Sequence, residues 1–495
     1  MQGEYRGDFT RDTFDPLKRF SRVLMQQGRV QLDADWNEQT SILLHYMRSL
    51  AADLIGPHGG PAKSDGQPGE GFNISQSDGD GSMMIGKGHY YVDGILCEND
   101  VDNLTYTGQP GYPFPNSIVK GVANSSYLVF LDVWERHVTY VEDDSLREVA
   151  LGGPDTASRA QVVCQVKVPL LAEAQGELQG LVDGFTNALS AADKKTALQN
   201  IDIFAADQAT FFAQSKSQMR ARARHRETSL EPCGIPPESK FRGAENQLYR
   251  VEIHRTGLAW NGVKDQKEGN PSGNAKTAAT FKWSRDNGCV IFPILMLSGE
   301  MATLANLGRD ASLSLRENDW VEIVDDTLAL QGRSGPLLQI AKIDRDEMSV
   351  TFKPHDGPDL PQYDHNDSKH PLLRRWDHRD AGNNLSDGAV LILEGDGEQE
   401  NYWLQLEDGV EIQFPKLNVN SYRAGDYWLV PARIATGDVI WPMEKNADNN
   451  LVAGSLPPHG IDHHVAPLAV ISLNAQNQTT VIDLRRTIRR LALPI

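Results

Sequence analysis

Three kinds of stretch in the chain bring side chains close enough together to suggest chemistry. In His459-Gly460-Ile461-Asp462-His463-His464 the imidazoles stand four and five residues apart with a carboxylate between them, a donor set able to hold zinc. Pro457, Pro458 and Pro467 make this a rigid loop, where histidines also commonly bond to backbone, so the metal site His459, His463, His464 and the structural alternative both stand. Gly81-Ser82-Met83-Met84-Ile85-Gly86-Lys87 fits the first seven positions of a phosphate-binding P-loop. Gly88, however, occupies the place of the magnesium-binding hydroxyl, and strand-like sequence follows where a helix N-terminus is needed. The acid pairs Asp33/Asp35, Asp143/Asp144 and Asp325/Asp326 are one or two positions apart in sequence, which does not place two carboxylates across a scissile bond. No nucleophile elbow, zinc-protease helix or Cys/His nucleophile neighbourhood is present in the sequence. The expectation is a protein that is not an enzyme and needs no cofactor.

The elements that would position these residues are mainly β. With 495 residues, 40% of them hydrophobic, the chain can bury more than one core, and roughly two to four domains are expected. Strand-forming runs occupy 89–97, 127–134, 138–141, 161–168, 247–255, 280–292, 320–324, 337–343, 347–353, 389–393, 402–414 and 426–432. Asp93-Gly94, Asp286-Asn287-Gly288 and Asp408-Gly409 supply tight turns. The segment 354–388 reads as polar and turn-rich around Trp376. Residues 171–227 break the pattern: Leu178, Leu181, Val182, Phe185 and Leu189 recur at helical spacing, and a second helix is expected over about 193–226. The fold class predicted is mainly β with α insertions (α+β): antiparallel sandwich or barrel-like domains and a helical hairpin standing off them. Boundaries fall at 1–60 (arm and amphipathic helix), 61–170 (first β domain), 171–230 (helical insertion), 231–430 (second β domain) and 431–495 (β segment and basic tail).

Lys plus Arg number 48 against 67 Asp plus Glu, a net charge of −19, which disfavours generic nucleic-acid binding. No run of about 18 apolar residues exists to span a membrane, and the first residues lack the basic-then-apolar order of a secretory signal. Synthesis in the cytoplasm is expected, and Cys97, Cys164, Cys233 and Cys289 read as reduced thiols.

The opening segment carries the most information. Polar and turn-forming residues 3–32 suggest an extended arm. Asp35 is placed to cap a helix with Glu38 reaching back to it, and Leu43, Met47, Leu50 and Leu54 then share one helical face. Arg220–Arg226 is read as a basic run ending the second helix. It either pairs with acids of this chain or meets a protein partner through Arg222 and Arg226. At the other end, Leu484, Ile488 and Leu491 would share a helical face beneath four arginines.

Gly-Asp-Phe-Thr-Arg-Asp-Thr-Phe-Asp-Pro (7–16) and Val-Leu-Met-Gln-Gln-Gly-Arg-Val-Gln-Leu-Asp-Ala-Asp-Trp-Asn-Glu-Gln (23–39) resemble a family of uncharacterised proteins encoded with phage-tail-like contractile injection systems. The resemblance continues at 90–96, 131–140, 146–156, 249–254, 281–287 and 456–464. It implies a structural particle component, baseplate-associated and present in several copies in a symmetric assembly. Its expected partners are baseplate, tube or sheath subunits, with Arg11, Phe14, Arg22, Asp33, Asp35, Trp36, Arg222 and Arg226 at the assembly interface. The particle would be cytoplasmic, membrane-anchored or released. A competing expectation is a carbohydrate- or cell-surface-binding, fibre-like module, with Trp376, Trp403, Trp428 and Trp441 stacking on sugars.

Overall fold

A computed structural model describes residues 5–489 except 77–81, 111–125, 169–174, 209–216, 225–239, 263–274, 309, 311, 356–359, 366–367, 380–383, 397–401, 417–421, 447–448 and 474–478. The fold is mainly β, 39% strand and 18% helix, in several antiparallel sheets and a barrel, as the turn and alternation signals imply.

The first β body is built on Ser126–Val138, which pairs with Arg159–Lys167 on one side and His464–Leu473 on the other, with Thr479–Asp483 outermost. Its near-continuous apolar run is explained by burial on both faces. Val129, Leu131 and Val133 enter a core shared with the hairpin Gly88–Val92/Ile95–Asn99, while Leu128 points the other way. There it meets Leu178, Val182, Ile201, Phe204 and Ala205 of two helices, α2 (Gln175–Asn187) and α3 (Ala191–Gln208). The helical hairpin therefore packs on the sheet and does not stand off it. Leu189, assigned to its buried face, is 99% exposed between the helices.

The second body has a six-stranded sheet centred on Gln247–Arg255 and Thr280–Ser284. Facing it is a three-stranded sheet in which Arg220–Ala223 pairs with Val410–Gln413. The basic run expected at a helix end is thus a strand. Alternation decides it: Ala221 and Ala223 enter the core while Arg220 and Arg222 point outward, so tertiary burial overrides the helix preference of Ala and Arg. The third body is a closed six-stranded barrel running from Ile291–Ser298 to Leu372–Trp376. That last strand crosses the segment read as turn-rich. Its two arginines, Arg374 and Arg375, are buried and hide its character. Asp286-Asn287-Gly288 does turn the chain, with Asn287 at φ 52° and Gly288 at φ 69°. The strands on either side belong to different sheets, so it links two bodies and closes no hairpin.

The segment 431–495 forms no unit of its own. Tyr427–Arg433 belongs to the six-stranded sheet, His464–Leu473 to the first body, and Thr487–Ile488 pairs in parallel with His58–Pro61. The basic tail expected as a helix is extended up to Arg489, and Leu491 lies outside the described residues. Leu484 is buried, Arg485 donates to the carbonyls of Gly69 and Gly71, and Arg486 pairs with Asp202 on α3.

Candidate assembly interface

The first described residues of the arm reach into the molecule. Arg6 Nη2 donates to both oxygens of Glu252, at 3.0 and 2.9 Å, beside Arg250 Nε at 2.6 Å and Lys282 Nζ at 3.3 Å. Lys282 also reaches Glu322 at 2.6 Å, and Trp376 Nε1 donates to the same carboxylate at 2.9 Å. Burial alone would raise the pKa of Glu252, but Arg6, Lys282 and Arg250 overcome it and hold the carboxyl well below its usual range. Burial lowers Arg6 to about 10, with Arg250 and Arg374 pushing the same way against Glu252, which leaves it charged at neutral pH. Asn287 Nδ2 donates to the carbonyls of Tyr5, at 3.3 Å, and Gly7, at 2.9 Å. Residues 5–7 are therefore half-buried and bonded to side chains that join the second body to the barrel.

From Thr10 the arm folds along the first helix, α1 (Asp33–Ile55). The capping box expected from Asp35 and Glu38 does not form: the N-cap is Leu32, without a side-chain cap bond. Asp33 instead accepts from the backbone N–H of Thr10 at 2.8 Å and from its hydroxyl, while Glu38 accepts from the Thr13 hydroxyl. Gln39 accepts from Val23 N at 2.8 Å, and Phe14 rests on His45 with ring centroids 5.9 Å apart. Carboxylates in the first turn still suit the helix dipole, but their hydrogen bonds tie down the arm.

One side of α1 is seated on the first body. Ala34 and Ile42 are buried, and Arg48 Nη2 reaches Glu135 Oε1 on Ser126–Val138 at 2.7 Å. The tip of the Asp93-Gly94 turn lies against this side. Gly94 has φ 76°, and a Cβ there would lie 2.2 Å from the Arg48 carbonyl oxygen, so the close approach needs glycine. The opposite side is open. Leu43, Met47, Leu50 and Leu54, the face read from sequence, are all exposed, Leu50 at 61% and Leu54 at 78%. Trp36 is 61% exposed, and Leu17, Phe20, Leu24, Met25 and Val30 of the arm are exposed as well. Isolated exposed leucines are ordinary, but a contiguous patch on an anchored helix marks an interaction surface.

The residues expected at an interface separate accordingly. Trp36 and Arg22 are exposed on this surface, Arg11 and Phe14 are half-buried, and Asp33 and Asp35 occupy the first turn of α1. Arg222 lies elsewhere, paired with Glu411 at 3.0 Å and stacked on Trp403 at 3.7 Å, an internal contact. Arg226 lies outside the described residues. Tyr5, Arg6, Arg48 and Glu135, which seat the arm and helix, carry no motif; only the positive-φ glycine at 94 signals the seat.

The other candidate sites do not assemble. His463 Nδ1 pairs with buried Asp132 at 2.8 Å and His464 Nδ1 with Asp93 at 2.9 Å. His459 packs on Tyr427 with ring centroids 5.5 Å apart. Each imidazole serves a different contact, and among the described residues no three His, Cys, Asp or Glu are grouped to hold a metal. Met83–Ile85 within the P-loop-like stretch is a strand paired with Ile74–Gln76, and Gly81 lies outside the described residues. Asp325 caps the short helix Asp326–Leu330 and accepts from Tyr363, while Asp326 pairs with Arg136 and His370. Trp376, Trp403 and Trp428 are core residues, the first and last 1% exposed, and Trp441 is half-buried and donates to the Gly454 carbonyl. The ring faces expected to stack on sugars are thus engaged internally.

The sequence profile of a family of unknown function (DUF6519) matches residues 5–214 and 205–485. No curated protein and no solved structure matches the chain.

Proposed function

The chain belongs to the DUF6519 family of unknown function, and we propose that it is a structural subunit of a contractile injection system particle. In this reading it is baseplate-associated, made in the cytoplasm, and acts through preformed contacts with neighbouring subunits. The observation that carries the reading is the set of exposed apolar residues from Leu17 to Leu54, with α1 tied to the first body by Arg48–Glu135 and the arm hydrogen-bonded to α1. A surface ordered before binding loses little conformational entropy on association, which suits a part whose work is to hold neighbours in place. The sequence blocks at 7–16 and 23–39, which carry the resemblance to injection-system proteins, fall on this same surface and its anchor.

The test is the protein composition of particles purified from the native host, compared with particles from a strain lacking the gene. The chain should be present in stoichiometric amount, and images of the deletion particle should lack density at one place. Particles that never contain the chain would sink the proposal.

A further inference from the structure

The open side of α1 has a stricter pattern than amphipathicity requires. Trp36, Leu43 and Leu50 recur every seven residues, and so do Thr40, Met47 and Leu54. The two rows interleave at spacings of four and three, the a/d pattern of a coiled-coil seam over three heptads. Thr40 is the one polar member, and its hydroxyl donates back to the Trp36 carbonyl at 3.1 Å, which leaves its methyl group for packing. At 100° per residue, this seam lies on the side of the helix opposite the buried Ala34 and Ile42 and opposite Arg48, which seats α1 on the body. A helix held to its own protein by one stripe thus carries a second stripe whose period fits another helix.

We infer that the partner of this seam is α1 of a second copy of the chain, so that the protein self-associates helix against helix. This rests on the reading of the Leu17–Leu54 surface as an assembly surface and names its first occupant. Charge supports a second copy. The chain carries −19 overall, so most approaches of one copy to another are repulsive. The positions flanking the seam, where coiled-coil partners choose one another by charge, are Asn37, Gln39, Leu44, Tyr46, Ala51 and Asp53. Only Asp53 is ionised, so two identical helices meet without a facing row of like charges. Leu44 and Tyr46 are themselves exposed and widen the strip.

The experiment uses the purified full-length chain and a Met47→Glu/Leu50→Glu double variant in analytical ultracentrifugation across a wide concentration range. Both positions are exposed, so at a concentration where both chains are monomeric the variant should keep the wild-type thermal unfolding midpoint. The wild type should show concentration-dependent dimers or higher oligomers, with the dissociation constant raised at least about tenfold in the variant. A Lys342→Glu variant, on an exposed barrel position, should associate like the wild type. A wild-type chain that is monomeric at every concentration overturns self-association. So does an oligomer that the seam charges leave unchanged. Neither result touches the particle proposal, which falls only if native particles lack the chain.

Discussion

Arg48 of α1 and Glu135 of the central strand Ser126–Val138 form an ion pair at 2.7 Å, and the Tyr5 hydroxyl donates to the second oxygen of the same carboxylate at 3.0 Å. One side chain therefore seats both the helix and the start of the arm, and burial with the neighbouring Glu135 charge raises the Tyr5 pKa so that it stays a donor. Glu135→Ala should lower stability by about 1–3 kcal/mol, the usual cost of leaving charged or polar partners unmet. Hydrogen exchange should quicken in residues 33–55 before the β bodies respond. Uniform exchange changes across the chain would mean that the pair does not seat α1 specifically.

Removing the arm should not be neutral for the fold. Arg6→Ala withdraws one of three cations from the buried Glu252 carboxylate and should cost about 2–4 kcal/mol. Deletion of residues 1–34 should be destabilising for the same reason. Denaturant titration of both variants checks this, and wild-type midpoints would contradict the placement of Arg6.

Gly94→Ala brings a Cβ against the Arg48 backbone at a φ that disfavours any side chain. A loss of about 2–4 kcal/mol is expected. Gly425→Ala, also at positive φ but with open space around it, should cost about 1 kcal/mol. Equal losses would show that the helix does not press on the hairpin tip.

Stability should rise with pH between about 4.5 and 7. Burial depresses His137 and His254 to about 3 and His378 to about 4, below the unfolded value of about 6.5. The unfolded state therefore binds more protons in that window, so the contribution is complete above about 6.5 and is lost on acidification. Glu407 acts oppositely. Burial, aided by Asp377 and Asp408 against Arg285, raises it to about 7, so its contribution is present below about 4.5 and lost as pH rises through 7. Glu407→Gln should steepen the rise, measured as denaturation midpoints at pH 5, 6 and 7. A flat wild-type profile would contradict the neutral state of His137, His254 and His378.

What could be read in the sequence was local. Asp93-Gly94 and Asp408-Gly409 were legible as hairpin turns because their left-handed backbone is one that few other residue pairs adopt. Leu43, Met47, Leu50 and Leu54 were legible as one face of a helix, but not the direction it faces. The seated side is made of Ala34, Ile42 and an arginine, a stripe too sparse to announce itself. Arg220–Ala223 and Leu372–Trp376 were missed because their arginines are answered by distant partners such as Glu411 and the Gly288 carbonyl. Arg6 and Glu252 lie 246 positions apart, and no local pattern signals such a pair. The histidine loop has metal-like spacing, yet Asp132 and Asp93, from two different strands and turns, take its imidazoles separately.

The most direct test of assembly through the α1 surface is quantitative mass spectrometry of particles from a native host carrying Met47→Glu/Leu50→Glu in place of the wild-type gene. The chain should be folded and abundant in the lysate and depleted at least about tenfold from purified particles. Incorporation at the wild-type level would contradict an assembly role for this surface.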